Sequence, residues 1–266
     1  MSRKPLIVGN WKMFKTGAEA EAIARQLVYL IEGEKQVEIL ICPPFTALSV
    51  VSSVLRGSLV KLGAQNVHWG DEGAFTGEVS ALMLSECGCR YVITGHSERR
   101  QIFGESDAII NSKLRKVMEK GLVPILCVGE SIAEREADQV EEAIVTQLQK
   151  GTCGLNLERR ANIVIAYEPV WAIGTGKTAT PQIAQAAHRI LRTCLADNFS
   201  WEVADRIRIL YGGSVKAENV AELMSEEDID GALVGGDSLD AQSFARIVEA
   251  CFEARVTGNT SRELRE

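Results

Sequence analysis

Eight short apolar runs, rich in β-branched residues and separated by stretches of helical character, constrain this chain more than any other feature. They are Leu6-Ile7-Val8, Ile39-Leu40-Ile41, Val60-Lys61-Leu62, Tyr91-Val92-Ile93, Val123-Pro124-Ile125-Leu126, Ile163-Val164-Ile165-Ala166, Ile207-Arg208-Ile209-Leu210 and Ala232-Leu233-Val234. Near-continuous runs of this kind are the mark of parallel strands buried on both faces. Parallel neighbours need long crossovers, and the intervening segments supply helix starts: the capping-box patterns Thr16-x-x-Glu19 and Ser131-x-x-Glu134, and Thr180-Pro181 with proline at the first helical position. No Gly/Ser-rich linker or compositional break divides the chain. A single domain of repeated β/α units over residues 1–256 is therefore expected, followed by a polar, solvated end at 257–266.

Local pattern alone does not separate an open doubly wound sheet from a closed (β/α)8 barrel. The strand ends favour the barrel. Several strands run directly into polar or glycine-rich stretches: Gly9-Asn10-Trp11-Lys12, Gly95-His96-Ser97-Glu98, Glu168-Pro169, Gly212-Gly213-Ser214 and Gly235-Gly236. In a barrel these carboxyl ends meet on one face, where side chains distant in sequence act on one ligand.

Composition narrows the function. With 266 residues, 46% of them hydrophobic, the chain can bury a large core, and no apolar run approaches the roughly 20 residues that span a bilayer. The opening residues are not followed by a run long enough for a signal peptide, so a cytoplasmic location is expected. A net charge of −7 argues against nucleic acid and acidic membrane surfaces as partners. An anionic ligand must then meet local donors that overcome the global charge. The seven cysteines lack the spacing of a disulfide framework and read as reduced thiols. With only three histidines, of which His68 and His188 have no reactive setting, no metal site is expected.

Two Gly-Gly turns, Tyr211-Gly212-Gly213-Ser214-Val215 and Leu233-Val234-Gly235-Gly236-Asp237, fall at the ends of the last two strands. Glycine there lets the backbone approach a phosphate, and the following turn offers unpaired N–H groups. The stretch Ala172-Ile173-Gly174-Thr175-Gly176-Lys177-Thr178 contains Gly-Lys-Thr but is no P-loop, because the position that needs the first glycine is Trp171. A lid is the better reading: Pro169 stiffens one end, Gly174 and Gly176 permit bending, and Trp171 is placed to cover a ligand. His96 lies at a strand end and helix start, where the helix N-terminus would keep its imidazole neutral and ready to donate to a carbonyl oxygen. Glu168, at another strand end, is the candidate base.

The segments Asn10-Trp11-Lys12, Gly95-His96-Ser97-Glu98-Arg99-Arg100, Ala166 to Lys177 and Tyr211-Gly212-Gly213-Ser214-Val215 resemble the signature segments of the triosephosphate isomerase family, in family order and spacing, over about Lys4 to Val256. The resemblance implies the (β/α)8 TIM barrel and a cofactor-free, metal-free isomerase of glycolysis and gluconeogenesis, interconverting dihydroxyacetone phosphate and D-glyceraldehyde 3-phosphate through an enediolate. It implies Glu168 as the proton-shuttling base, His96 as the group polarising the carbonyl oxygens, Lys12 as a positive charge and Asn10 as a hydrogen-bond donor. Ser97 would hold Glu168 in the open state and Glu98 would pair with Lys12. Backbone N–H groups at Gly174, Ser214, Gly235 and Gly236 would hold the phosphate. Gly73-Ala74-Phe75-Thr76-Gly77-Glu78 resembles the family's long third loop and implies a homodimer, with Thr76 near the partner's active site. Asp237 departs from the small neutral residue usual after the last Gly-Gly; it is expected to cap the short helix there and point away from the phosphate, the other reading being a carboxylate near the phosphate that weakens its binding. Two other functions fit the same residues: a barrel aldolase using Lys12 as a Schiff base, and a non-catalytic phosphate-binding barrel.

Overall fold

The structure, a computed structural model, describes residues 3–158, 162–172 and 178–263, with side chains as far as 253. All eight apolar runs form strands: β1 Leu6–Asn10, β2 Glu38–Cys42, β3 Lys61–Ala64, β4 Tyr91–Thr94, β5 Val123–Val128, β6 Val164–Tyr167, β7 Arg208–Tyr211 and β8 Gly231–Val234. Each pairs in parallel with the next, and β8 closes on β1 through Leu6↔Gly231 to Gly9↔Val234. The closed barrel is therefore confirmed over the open sheet. Both capping boxes are present, at Thr16/Glu19 and Ser131/Glu134, and Thr180 caps the helix Pro181–Asn198.

The period-2 alternation of each strand divides the core in two. Leu6, Val8, Leu40, Ile93, Ile125, Val164, Leu210 and Leu233 fill the barrel interior, while Ile7, Ile39, Ile41, Val92, Leu126, Ile165 and Ile209 face the surrounding helices. Because both faces are covered, the strands read as continuous apolar runs. At the amino-terminal mouth, the first residues of β2, β4 and β7 close the barrel with polar groups. Arg208 Nη1 lies 2.7 Å from Glu38 Oε2, and the Tyr91 hydroxyl donates to Glu38 Oε1 at 2.6 Å. The helix Ala241–Glu263 continues into the stretch expected to be a solvated end. Among the described residues, no helix is long and apolar enough to cross a membrane.

His188, on the helix Pro181–Asn198, is fully buried, and its Nδ1 lies 3.1 Å from the Asp228 carbonyl oxygen. Burial pushes the imidazole down to about 4. An unfolded chain binds that proton near pH 6.5 and the folded chain resists it until about pH 4, so stability falls as pH drops through this window, by up to about 3 kcal/mol. Denaturant titrations between pH 7 and 4.5 should show a shallower pH dependence for His188→Asn than for the wild type. Equal slopes contradict the assignment.

Candidate active site

Every carboxyl end expected to carry chemistry lies on one face. Asn10, Lys12, His96, Glu98, Glu168, Ser214, Gly235 and Gly236 line a single cavity of about 320 Å³, together with Gly212, Gly213 and Asp237. Gly174, and the lid residues Gly176 and Lys177, lie outside the described residues.

The turn after β1 sets Lys12. Its backbone takes φ 51°, a left-handed conformation uncommon for a residue with a side chain. Asn10 Oδ1 accepts the Lys12 N–H at 3.1 Å, and Gln65 Nε2 donates to the Lys12 carbonyl at 2.8 Å, so the strained turn is held from both sides. The ammonium then reaches Glu98 Oε1 at 2.6 Å. Gln65, which sequence patterns did not single out, also donates to the Cys42 carbonyl at the end of β2, tying two loops together.

His96 caps the helix Ser97–Gln101, and its Nδ1 accepts the Glu98 N–H at 3.3 Å. The neutral ring must therefore carry its proton on Nε2, which faces Glu168 Oε1 at 2.9 Å. The other carboxylate oxygen of Glu168 accepts the Ser97 backbone N–H at 2.8 Å, so the main chain of Ser97, rather than its hydroxyl, holds the carboxylate. Burial works to raise the Glu168 carboxyl, but His96, the Ser97 N–H and Lys12 together hold it below the ordinary glutamate value. Burial likewise works to lower His96, and the Glu168 carboxylate, helped by Glu98, outweighs it. The imidazole pKa is thus raised here, against the lowering expected from the helix N-terminus alone, because a carboxylate in contact exceeds a partial dipole charge.

Trp171 does not line the cavity. Its indole N–H donates to Glu130 Oε1 at 2.7 Å and its ring lies under the Arg135 guanidinium at 4.5 Å. Glu130 itself was not anticipated. It is fully buried after β5 and also accepts from the Tyr167 hydroxyl and from Arg135, both at 3.0 Å. Its neighbours Gly129 and Ser131, a glycine and a helix cap at a strand end, were the available signal. Asp237 does not have the capping role expected of it. The residue preceding the 3-10 turn Gly236–Leu239 is Gly235, and Asp237 lines the cavity without a hydrogen bond or ion pair among the described residues. The capping carboxylate nearby is Asp240, whose Oδ1 accepts the Ser243 N–H at 2.8 Å. None of the seven cysteines is in a disulfide, and the described residues contain no group of side chains able to hold a metal ion.

A buried carboxylate against an imidazole, a lysine opposite, and glycine turns on neighbouring strands define a barrel enzyme site suited to proton transfer on a small phosphorylated carbonyl compound. The comparisons narrow this class. The family model for triosephosphate isomerase matches residues 5–251. The chain is 52% identical over 247 residues to the triosephosphate isomerase of Carboxydothermus hydrogenoformans, covering 93% of this chain and 98% of the relative. It is 54% identical over 246 residues to that of Chloroflexus aurantiacus, covering 92% and 98%. The crystal structure of triosephosphate isomerase from Bartonella henselae superposes with a TM-score of 0.84 at 40% identity, covering 93% of this chain and 98% of that one. The chain belongs to the triosephosphate isomerase family.

Proposed function

We propose that the chain interconverts dihydroxyacetone phosphate and D-glyceraldehyde 3-phosphate, the step that glycolysis and gluconeogenesis share, with Glu168 as the base. The observation that carries this reading is the convergence of Glu168, His96 and Lys12 on one cavity with the Ser214 and Gly235-Gly236 turns. Removing a proton beside a carbonyl leaves an enediolate, so the reaction needs a base on one side and fixed donors at the developing oxyanion. Glu168 is the base. His96, through its Nε2–H, and Lys12 are the donors, and Asn10 adds a third. The backbone N–H groups of Ser214, Gly235 and Gly236, joined by Gly174, take the phosphate.

The parked carboxylate adds a switch. While it rests on His96 and the Ser97 N–H, Glu168 is a weakened base. Turning toward the substrate removes those partners and leaves burial, which raises its proton affinity just where a proton must be taken. The same turn frees His96 Nε2–H and removes the charge that raised its pKa. The ring then donates as a neutral imidazole.

Gly129 fixes where this carboxylate starts. A Cβ there would lie 1.8 Å from the Glu168 carbonyl oxygen. Gly129→Ala must shift the end of β6, and a displacement on the order of 1 Å at a reacting group lowers kcat/KM by about 10²-fold. Gly17→Ala, whose Cβ meets nothing nearer than Val50 at 3.9 Å, is the control that should stay near the wild type. Equal kinetics for the two variants would remove this role.

A homodimer, with Thr76 reaching the partner's active site, is also proposed. It is supported by the exposure of Met13, Phe14, Phe75, Met83, Ile102 and Phe103, apolar residues on the loops and short helices around that same rim. Sedimentation equilibrium should give twice the chain mass, and a monomer at micromolar concentration contradicts it.

A coupled assay of triose phosphate equilibration by the purified chain tests the activity, and an inactive folded sample would leave only a phosphate-binding barrel. The aldolase reading is disfavoured by Lys12, whose ion pair with Glu98 is the opposite of the desolvated or cation-flanked setting of a Schiff-base lysine. Borohydride with dihydroxyacetone phosphate should therefore leave Lys12 unmodified.

A further inference from the structure

We infer that Ser238 is a positioning residue of the phosphate subsite: from outside the cavity it fixes the peptide between Gly235 and Gly236, so that the Gly236 N–H is aimed at the substrate phosphate before the substrate arrives. The inference rests on the phosphate-binding reading of the cavity given above. Gly235 and Gly236 line the cavity, whereas Ser238 is buried and does not line it. The Ser238 hydroxyl donates to the Gly235 carbonyl oxygen at 2.6 Å, and the Ser238 backbone N–H donates to the same oxygen at 2.9 Å.

A carbonyl oxygen has two lone pairs, and Ser238 occupies both. The peptide group is a rigid plane whose C=O and N–H point in opposite directions. Pinning the Gly235 carbonyl toward Ser238 therefore turns the Gly236 N–H away from Ser238, to the side of the peptide that borders the cavity. That N–H donates to no group among the described residues, so its hydrogen bond is left for a ligand.

The pin matters because the peptide lies between two glycines. With no Cβ on either side it has more freedom to rotate than any other peptide in a chain. Left loose, it would be ordered only as the phosphate binds, and that ordering would be subtracted from the affinity. A donor whose direction is set in advance needs no reorganisation during the reaction. Binding energy gained at the phosphate, remote from the reacting carbons, in turn holds the carbonyl in place for Glu168 and His96. Strand β1 packs against this turn and leaves the room that Ser238 fills. A Cβ at Gly9 would lie 2.9 Å from the Ser238 Cβ and 3.3 Å from its Oγ.

The test compares the full-length wild type with Ser238→Ala and with Ser238→Cys, whose thiol is nearly isosteric but only a weak donor. The readouts are kcat/KM for D-glyceraldehyde 3-phosphate, kcat/KM for D-glyceraldehyde, which has no phosphate, and the calorimetric Kd of glycerol 3-phosphate, a phosphate monoester with no carbonyl. Both variants should lose about 5- to 20-fold in kcat/KM for the phosphorylated substrate and weaken glycerol 3-phosphate by a similar factor, while D-glyceraldehyde stays within about twofold of the wild type. Values for the phosphorylated substrate and glycerol 3-phosphate within about twofold of the wild type overturn the proposal, because the backbone N–H of Ser238 would then hold the peptide alone. A loss shared equally by both substrates, or two variants that do not fold, also overturns it by making Ser238 a purely structural residue. A wild type that does not bind glycerol 3-phosphate removes the phosphate reading of the cavity itself, whereas a wild type that binds it and variants that bind it equally well remove only the role of Ser238.

Discussion

Glu168→Gln should lower kcat by roughly two to four orders of magnitude while leaving the barrel folded. The amide matches the carboxylate in shape but cannot take a proton, so the loss falls on kcat, with KM changed far less. The resting contacts predict a second, smaller effect. Ser97 N–H and His96 Nε2–H each donate to one oxygen of Glu168, and His96 cannot reverse its tautomer without losing the Glu98 N–H at Nδ1. Glutamine offers one acceptor where two donors wait, leaving one buried group unpaired at a cost of about 1–3 kcal/mol. Glu168→Gln should therefore be both inactive and measurably less stable in urea, a pairing that a carboxylate without these partners would not produce. A kcat within tenfold of the wild type would remove Glu168 from the centre of the mechanism.

Asp230→Ala should have the largest effect on stability with little on the chemistry. Asp230 is fully buried just before β8, at the end of the barrel opposite the cavity. Its Oδ2 lies 2.6 Å from Arg192 and accepts the Ile209 N–H at 2.9 Å, while Oδ1 lies 2.6 Å from Arg3. Arg192 is itself buried and shared with Asp228. Truncating Asp230 leaves that guanidinium undercompensated inside the fold, a change that costs about 3–5 kcal/mol, or roughly 10 °C of melting temperature in a chain of this size. Asp230→Asn keeps the hydrogen bond from Ile209 and should fall between the two. Thermal denaturation ranks the three proteins, and kcat of the folded fraction should stay within about twofold of the wild type, because the amino-terminal face of a barrel serves stability. A melting temperature within about 2 °C of the wild type for Asp230→Ala would show that Arg192 finds full compensation elsewhere.

The order of elements was legible because burial on both faces leaves an unmistakable mark: Ile163-Val164-Ile165-Ala166 has no polar alternation for a solvent face. Helix starts were legible where a short side chain caps, as at Thr16, Ser131 and Thr180. Site members were legible when they stood at strand ends: Lys12 and His96 follow Gly9 and Gly95 closely, and Glu168 precedes Pro169 at the end of its strand. What stayed hidden depended on which groups touch in three dimensions. The direction of the His96 shift is set by Glu168, far away in sequence, and not by the helix beneath the ring. Glu130 gathers three donors from Tyr167, Arg135 and Trp171, which no local pattern announces. The freedom of Asp237 follows from the geometry of a turn that needs no side-chain cap.

The central claim is that Glu168 moves a proton through an enediolate within this cavity. It is tested most directly by running the isomerisation in deuterium oxide and locating the label by NMR. The wild type should place solvent deuterium on the carbon beside the carbonyl, at C2 of glyceraldehyde 3-phosphate and at C1 of dihydroxyacetone phosphate, and Glu168→Gln should abolish this exchange along with turnover. Rapid isomerisation with no deuterium in either triose phosphate, or exchange in Glu168→Gln as fast as in the wild type, would contradict the account.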